Sequence, residues 1–127
     1  MNYILEIIIL VFISITFLQS GYDKIADWKG NIGWLKSHFA DTFFSNKVPF
    51  SLGIILILEI ISGLLALIGI GILLTSGSKE FALLSAIFSC ITLLFLLLGQ
   101  RVAKDYDGAR TIVIYFIPII FLLFLLK

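Results

Sequence analysis

Glu59 is the residue whose type and position could carry chemistry, because it is an acid within a long apolar run at about 50–74. It lies about nine residues into that run, which places it ~13 Å deep at a helical rise of ~1.5 Å per residue. An ionised carboxylate at the centre of a membrane helix costs ~2.5–3.5 kcal/mol, so we expect Glu59 to be protonated or paired inside the protein. Such an acid either exchanges protons in a pocket or only hydrogen-bonds neighbouring helices, and both interpretations stay open.

Four further polar residues lie near the ends of apolar runs, on the side of the predicted bundle where the second run begins: Gln19, Lys24, Gln100 and Arg101. We expect Gln19 and Gln100 to reach toward Glu59. Lys24 and Arg101 are expected to extend between this acid and water. The five residues would then line a polar funnel. In the alternative interpretation the two basic residues are ordinary interfacial anchors and the two glutamines cap helix ends.

Several other chemistries lack the residues they need. Cys90 is the only cysteine, so the chain forms neither an internal disulfide nor a Cys-x-x-Cys redox pair. His38 is the only histidine, which excludes bis-histidine haem ligation, and we interpret it as a surface residue. Gly-rich phosphate loops, metalloprotease motifs and nucleophile elbows are absent, and we predict no metal site. A net charge of +1 without a basic stripe gives no support for a nucleic-acid partner.

The apolar composition determines which elements position these residues. Hydrophobic residues make up 61% of the chain, charged residues 13%, and the mean hydropathy is +1.16, an apolar excess that a soluble fold of this size does not hide. Four runs approach the ~17–25 residues that cross a hydrocarbon core of ~30 Å, at about 4–20, 50–74, 81–99 and 111–126. Short connections force antiparallel neighbours. We predict an all-α membrane protein: one membrane domain over 1–127, an antiparallel bundle of four transmembrane helices.

The connection between the first two runs has its own helical pattern. Five apolar residues follow one another at spacings of four, three, four and four: Trp28, Ile32, Leu35, Phe39 and Phe43. This spacing indicates a short amphipathic helix over about 28–44, lying in the membrane interface or capping the bundle. An irregular loop remains the alternative.

Small residues recur in the second and third predicted helices at three- and four-residue steps. They are Ser62, Gly63, Ala66 and Gly69 in the second helix, and Ala82, Ser85, Ala86, Ser89 and Cys90 in the third. Small residues let helices approach closely in lipid, so we expect these two faces to pack together. Pro118 interrupts the last run, which implies a kink or a compensating partner for the freed carbonyl group.

Three stretches resemble motifs of the DoxX-like family of four-helix bacterial membrane proteins. Residues 17–25 contain Gly21 and Lys24 and resemble the Ser/Ala-Gly-x-x-Lys signature that closes the first helix in that family. Residues 59–63, with Gly63 and followed by Gly69, resemble the acidic motif of the second helix. The segment 101–108, which contains Asp105, stands where the family has a polar, charged turn.

The resemblance implies a multi-pass protein of the bacterial cytoplasmic membrane. Some members of the family are subunits of a thiosulfate:quinone oxidoreductase, and others are linked to redox or sulfur handling. Because this chain has no metal, flavin or dithiol motif, a partner or a bound quinone must carry electrons if redox chemistry occurs. We expect no covalently bound cofactor, no independent catalytic activity, and quinone or lipid as ligand. The expected partners are membrane lipid and either other membrane subunits or further copies of this chain.

Three functions therefore compete. The first is a membrane subunit of a quinone-linked redox complex, with a buried-acid pocket around Glu59. The second is a non-catalytic accessory or assembly subunit of a larger membrane complex. The third is a small proton-coupled transporter resembling the four-helix multidrug exporters, although those use an acid in the middle of the first helix and here Glu6 lies near its start.

Membrane orientation follows from the distribution of basic residues. One side carries Lys24, Lys29, Lys36, Lys47, Arg101, Lys104 and Arg110, and the opposite side carries Lys79 and Lys127. Basic residues favour the cytoplasm. We therefore predict that both termini lie outside and that the long connection lies inside.

Overall fold

The computed structural model describes residues 3–42 and 46–127, and the described part consists of helices and short connections, without strands. Five α-helices follow one another: α1 (Ile4–Ala26), α2 (Trp28–His38), α3 (Val48–Thr75), α4 (Glu80–Val102) and α5 (Tyr106–Leu126). The predicted all-α architecture is confirmed.

Four of these helices are long and apolar enough to cross a membrane. The most apolar 18-residue window has a mean hydropathy of 2.1 in α1, 2.6 in α3, 2.7 in α4 and 2.4 in α5. Large apolar side chains also point outward, such as Phe124, which is 73% exposed, and Ile117, which is 61% exposed. An outer surface of this kind requires lipid as its solvent. The protein is therefore a multi-pass membrane protein.

The helix α3 occupies the middle of the packing order. It contacts α1 on one side and α4 on the other, α4 in turn contacts α5, and α1 touches α5 more lightly. The contacts of Gly21 with Ile60 and of Gly63 with Leu18 show that α1 and α3 run antiparallel. The connections from α3 to α4 and from α4 to α5 are short, so these neighbours are antiparallel as well. The core between them is filled by buried apolar side chains that include Leu10, Ile13, Phe17, Leu93, Ile119 and Leu122.

Close contact between α3 and α4 depends on the small residues. A Cβ atom added at Gly69 would lie 2.9 Å from the Cα atom of Ala82, so the two backbones nearly touch. The Ser85 hydroxyl donates a hydrogen bond of 2.8 Å to the Ser62 carbonyl oxygen across the same interface. The prediction that the two small-residue faces pack together is confirmed.

The helices extend beyond the apolar runs. The apolar pattern ends the first helix near residue 20 and starts the last near residue 111, whereas α1 continues to Ala26 and α5 begins at Tyr106. Polar residues at a helix end satisfy the unpaired backbone groups there. Asp105 does this for α5, because its side chain accepts a hydrogen bond of 2.9 Å from the Gly108 N–H. The helix α5 continues through Pro118.

The predicted amphipathic segment forms the short helix α2, which contacts α1 and α3. None of its residues, all of which the structure describes, is fully buried, and Trp34 is 62% exposed. Its helical part ends at His38, before the predicted limit. Phe43 and the end of the predicted segment at 44 lie outside the described residues. A helix with this exposure suits the membrane interface, where aromatic rings are favoured.

Candidate functional site

Glu59 is enclosed in the middle of the bundle. The helix α3 begins at Val48, so Glu59 lies ~16 Å from its start at ~1.5 Å per residue. It shares the buried face of α3 with Ser62 and Gly63, and it is only 1% exposed. The carboxylate is therefore surrounded by protein rather than by lipid or water.

Lys24 provides the partner that a buried carboxylate needs. Its Nζ atom lies 2.7 Å from Glu59 Oε1 and donates a hydrogen bond of 2.7 Å to Ser20 Oγ. Lys24 stands in the last turn of α1, where a cation also interacts favourably with the helix dipole. Of the two expected states of Glu59, protonated or paired, the structure has the paired one.

The two members of this ion pair differ in access. The Lys24 side chain is 17% exposed, whereas that of Glu59 is 2% exposed. Glu59 Oε1 has no hydrogen bond of normal geometry among the described residues, although the ammonium is within contact distance. An ammonium carries three N–H groups. In Lys24 one of them faces Ser20, one faces Glu59, and the third is left for another acceptor. Lys24 is therefore the member of the pair that is accessible from outside the bundle.

A second polar cluster lies at the end of the bundle, around His38. Its Nε2 atom is 3.2 Å from Gln100 Oε1 and 3.7 Å from Asp105 Oδ2. The imidazole stacks on Trp34, with ring centroids 4.6 Å apart, and next to it Phe39 lies against Gly99. This cluster fastens the end of α2 to the corner between α4 and α5.

The structure does not bring the predicted funnel together. Gln100 belongs to the His38 cluster instead of reaching Glu59, because the last turn of α4 stands at the end of the bundle. Arg101 is exposed, and its guanidinium lies over the Tyr106 ring at 5.2 Å. Gln19 is exposed on the outer face of α1. Of the five predicted residues, only Lys24 and Glu59 meet.

The three residues taken from the family motifs have structural positions of different kinds. Gly21 is buried, and a Cβ atom there would lie 3.2 Å from Ile60 Cγ1 in α3. A Cβ atom at Gly63 would meet the Leu18 side chain in α1. Asp105 caps α5 and faces His38. The two glycines thus hold α1 close to α3, and both contacts lie on the same side of the Lys24–Glu59 contact, toward the start of α1.

Sequence reasoning missed two residues. His38 was expected at the surface, but its side chain is only 17% exposed and has polar partners. The contact with Trp34 could have been predicted, because His38 follows Trp34 by four residues and residues four apart share a helix face. Ser20, which accepts the Lys24 hydrogen bond, likewise stands four residues before that lysine.

The described residues contain no group of three His, Cys, Asp or Glu side chains that could hold a metal ion. Cys90 is a free, buried cysteine in α4. The chain matches no known family model, no curated protein and no solved structure. The fold and the site define a class: a multi-pass membrane protein with four membrane helices and a buried ion pair between the first two of them.

Proposed function

We propose that this protein is a membrane subunit of a quinone-linked redox complex in the bacterial cytoplasmic membrane, similar to the DoxX-like proteins. The observation that supports the proposal is the ion pair between Lys24 and the almost fully buried Glu59, at 2.7 Å. A buried acid within a membrane segment is a functional site by default, and this one has a partner that remains partly accessible. Thiosulfate or another sulfur compound is the electron donor that the resemblance suggests.

The residues of the pair fit a quinone headgroup. A quinone carbonyl oxygen accepts hydrogen bonds, and Lys24 has an N–H group beyond those that face Ser20 and Glu59. A lipid headgroup oxygen is an acceptor of the same kind. The apolar surface around α1 suits the isoprenoid or acyl chain that either ligand carries.

The reaction requires two electrons and two protons for each quinone reduced to quinol. Electrons come from a partner subunit, since the sequence has no metal, flavin or dithiol motif. Lys24 orients the acceptor oxygen and passes a proton to it, while Glu59 stabilises the ammonium before the transfer and favours its reprotonation afterwards. Water that reaches the 17% exposed Lys24 side chain reprotonates it after each transfer, so Lys24 delivers the two protons one after the other.

The alternative is a non-catalytic accessory subunit. The enclosure of Glu59 favours it, because an acid that neither lipid nor water reaches can act solely to fasten α1 to α3 through Lys24. In that role the protein would dock a larger membrane complex through its outer faces.

Substitution of Glu59 distinguishes the two functions. Membranes from a deletion strain are complemented with the wild type, Glu59→Gln, or the control Glu6→Gln, whose acid stands in the first turn of α1. Gln keeps the size of Glu but carries no charge to stabilise the Lys24 ammonium, so we expect quinone-dependent reduction to fall ~100-fold in Glu59→Gln, the lower range for impaired acid–base catalysis. Protein amount and thermal stability should fall less than in a variant that leaves Glu59 without its cation, because the unpaired Lys24 side chain is 17% exposed and its ammonium can reach water.

Other outcomes would contradict the redox function. Quinone reduction that is unaffected by the deletion excludes it. A normal rate in Glu59→Gln, together with co-purification of the partner subunit, supports the accessory function. We would identify that partner by purifying the protein in a gentle detergent and analysing the co-purifying proteins and extracted quinones. Isolation of a stable lone protomer would contradict the accessory function.

The orientation of the site needs a separate measurement. The basic residues predict that the long connection, and thus the Lys24 side of the pair, faces the cytoplasm. A C-terminal fusion to a phosphatase active only outside should be active, and a fluorescent protein that matures only inside should stay dark. The reverse result would place the pair near the periplasmic face.

A further inference from the structure

Two buried oxygen atoms make no hydrogen bond of normal geometry to any residue that the structure describes: Glu59 Oε1 and Ser89 Oγ. Glu59 is 1% exposed, and Ser89 is completely buried. An unpaired polar atom in a protein interior destabilises the fold, so native proteins rarely leave one without a partner. Each of these two oxygens therefore requires a partner.

The packing of α3 on α4 places the two oxygens at nearly the same height in the bundle. The Ser85 hydroxyl bonds the Ser62 carbonyl oxygen across the interface, so these two serines mark a common height. Glu59 stands three residues before Ser62, which is ~4.5 Å along α3. Ser89 stands four residues after Ser85, which is ~6 Å along α4. Because the helices are antiparallel, both steps lead in the same direction, and the two residues differ by only ~1.5 Å in height.

Ser89 also points toward α3. It follows Ala82 by seven residues and Ser85 by four, and both of those residues contact α3. Residues at such spacings share one face of a helix. On α3, Glu59 stands one turn from Ser62, on the buried side of that helix. Glu59 and Ser89 therefore face the same interior seam, one from α3 and the other from α4.

We propose that one enclosed water molecule joins Glu59 Oε1 to Ser89 Oγ. Such a water belongs to the protein interior rather than to the bulk solvent, and it bonds buried polar groups that have no other partner. The carboxylate only accepts, so the water donates to Glu59, and the Ser89 hydroxyl donates to the water. A metal cation does not suit this place, because the Lys24 ammonium already lies 2.7 Å from the same carboxylate oxygen.

The water connects the Lys24–Glu59 pair to a third membrane helix. A carboxylate oxygen has two lone pairs, and one ammonium does not fill both. Ser89 thus becomes the residue of α4 that positions the Glu59 carboxylate, although it does not touch it. This inference goes beyond the proposed redox function and does not depend on it, because it concerns how the folded protein holds Glu59.

Ser89→Ala tests the water by the direction of its effect on thermal stability. If the hydroxyl has no partner, its removal leaves the melting temperature unchanged or raises it. If the hydroxyl holds a water against Glu59, its removal weakens the bonding of a buried carboxylate. We expect the melting temperature in detergent to fall by about 3–5 °C.

A background without the ion pair, Lys24→Met with Glu59→Leu, shows whether the loss comes from Glu59. The water has no carboxylate to bind there, so adding Ser89→Ala should leave the melting temperature unchanged or raise it. Ser85→Ala is the matched control, because its hydroxyl bonds the Ser62 carbonyl oxygen, and it should cost the same in both backgrounds. The inference is overturned if Ser89→Ala does not lower the melting temperature of the wild type, or if it lowers it equally in both backgrounds.

A crystal structure distinguishes a bridging water from a direct bond. In the wild type, a density peak should lie within ~3.2 Å of both Glu59 Oε1 and Ser89 Oγ. A direct hydrogen bond between the two side chains, or no peak between them, would also overturn the inference. Neither measurement uses redox activity, so the outcome is separate from that of the proposed function.

Discussion

The Lys24–Glu59 pair and the His38–Gln100–Asp105 cluster contain similar chemical groups in different surroundings. The first lies between α1 and α3 with the Glu59 side chain 2% exposed, whereas the second lies at the bundle end with side-chain exposures of 17% for His38 and 31% for Asp105. The carboxylate oxygen lies 2.7 Å from the Lys24 ammonium nitrogen in the first region and 3.7 Å from the His38 ring nitrogen in the second. The carboxylate is therefore tightly paired in the first region and loosely held in the second.

This difference indicates that burial of the carboxylate determines how strongly each cluster depends on its partner. Removing one partner of a buried ion pair leaves an uncompensated charge, which costs far more than the pair itself contributes. At the bundle end, water replaces a lost partner. We expect the first region to respond strongly to single substitutions and the second to respond weakly.

Lys24→Met should have the largest effect. It leaves Glu59 almost fully buried and without its cation, so the free energy of unfolding should fall by ~3–5 kcal/mol. Reversible unfolding in mixed detergent micelles measures this change. The double variant Lys24→Met, Glu59→Leu removes both charges and should recover most of the loss. A double variant as unstable as the single one would show that the pair is not what fixes α1 to α3.

Gly69→Ala tests whether close helix contact keeps this region tight. The added Cβ atom would meet the backbone of Ala82 at 2.9 Å, so the helices must separate and stability should fall by ~1–3 kcal/mol. Gly71→Ala is the control, because a Cβ atom there meets nothing within 4 Å. Equal melting temperatures of the two variants would contradict the close α3–α4 contact.

Asp105→Ala should have a moderate effect at the bundle end. It removes the side-chain cap of α5 and the acid that faces His38, with an expected loss of ~1 kcal/mol. Asp27→Ala, which removes the longer 3.3 Å cap bond at Gly30, provides the comparison and should cost less. Thermal unfolding of both variants in the same detergent measures the difference, and the opposite order would indicate that the corner cluster adds nothing to the α5 cap.

His38→Ala should have the smallest effect on global stability, below ~1 kcal/mol, because its partners regain water. Its consequence should be local: the C-terminal end of α2 should exchange its amide hydrogens faster. Lys36→Ala, an exposed residue of the same helix, is the control and should leave exchange unchanged. Unchanged exchange in His38→Ala would mean that the cluster does not hold α2 in place.

The sequence predicted the elements of the fold well because each membrane helix is defined by its own apolar run. It also predicted that Glu59 is protonated or paired inside the protein, because an ionised carboxylate in lipid is energetically costly. The sequence also indicates that Lys24 points toward the inside of the bundle. Lys24 follows the buried Phe17 by seven residues, nearly two full helical turns, and therefore lies on the same face of α1. Gln19 follows Phe17 by two residues, a rotation of ~200°, and must point outward.

The arrangement at the bundle end was beyond sequence reasoning. The position of Gln100 depends on where α2 lies, and that depends on tertiary contacts such as Phe39 against Gly99. These contacts join residues about sixty positions apart, and helical periodicity carries no information at that range. The funnel was therefore predicted from membrane depth alone. Depth gives the height of a residue along the bundle axis, but it does not give the direction in which its side chain points around that axis.

The unequal lengths of α1 and α3 have a consequence for the surrounding bilayer. With 28 residues, α3 is ~42 Å long, about 12 Å longer than a typical hydrocarbon core, whereas α1 has 23 residues. Such hydrophobic mismatch is relieved by helix tilt or by local thickening of the lipid. The mismatch between helix length and hydrocarbon thickness therefore differs around the circumference of the molecule. It is larger beside α3 than beside the shorter α1, and α2 contacts both helices. The protein should therefore tilt less as acyl chains lengthen, and it should partition toward the thicker regions of a mixed membrane.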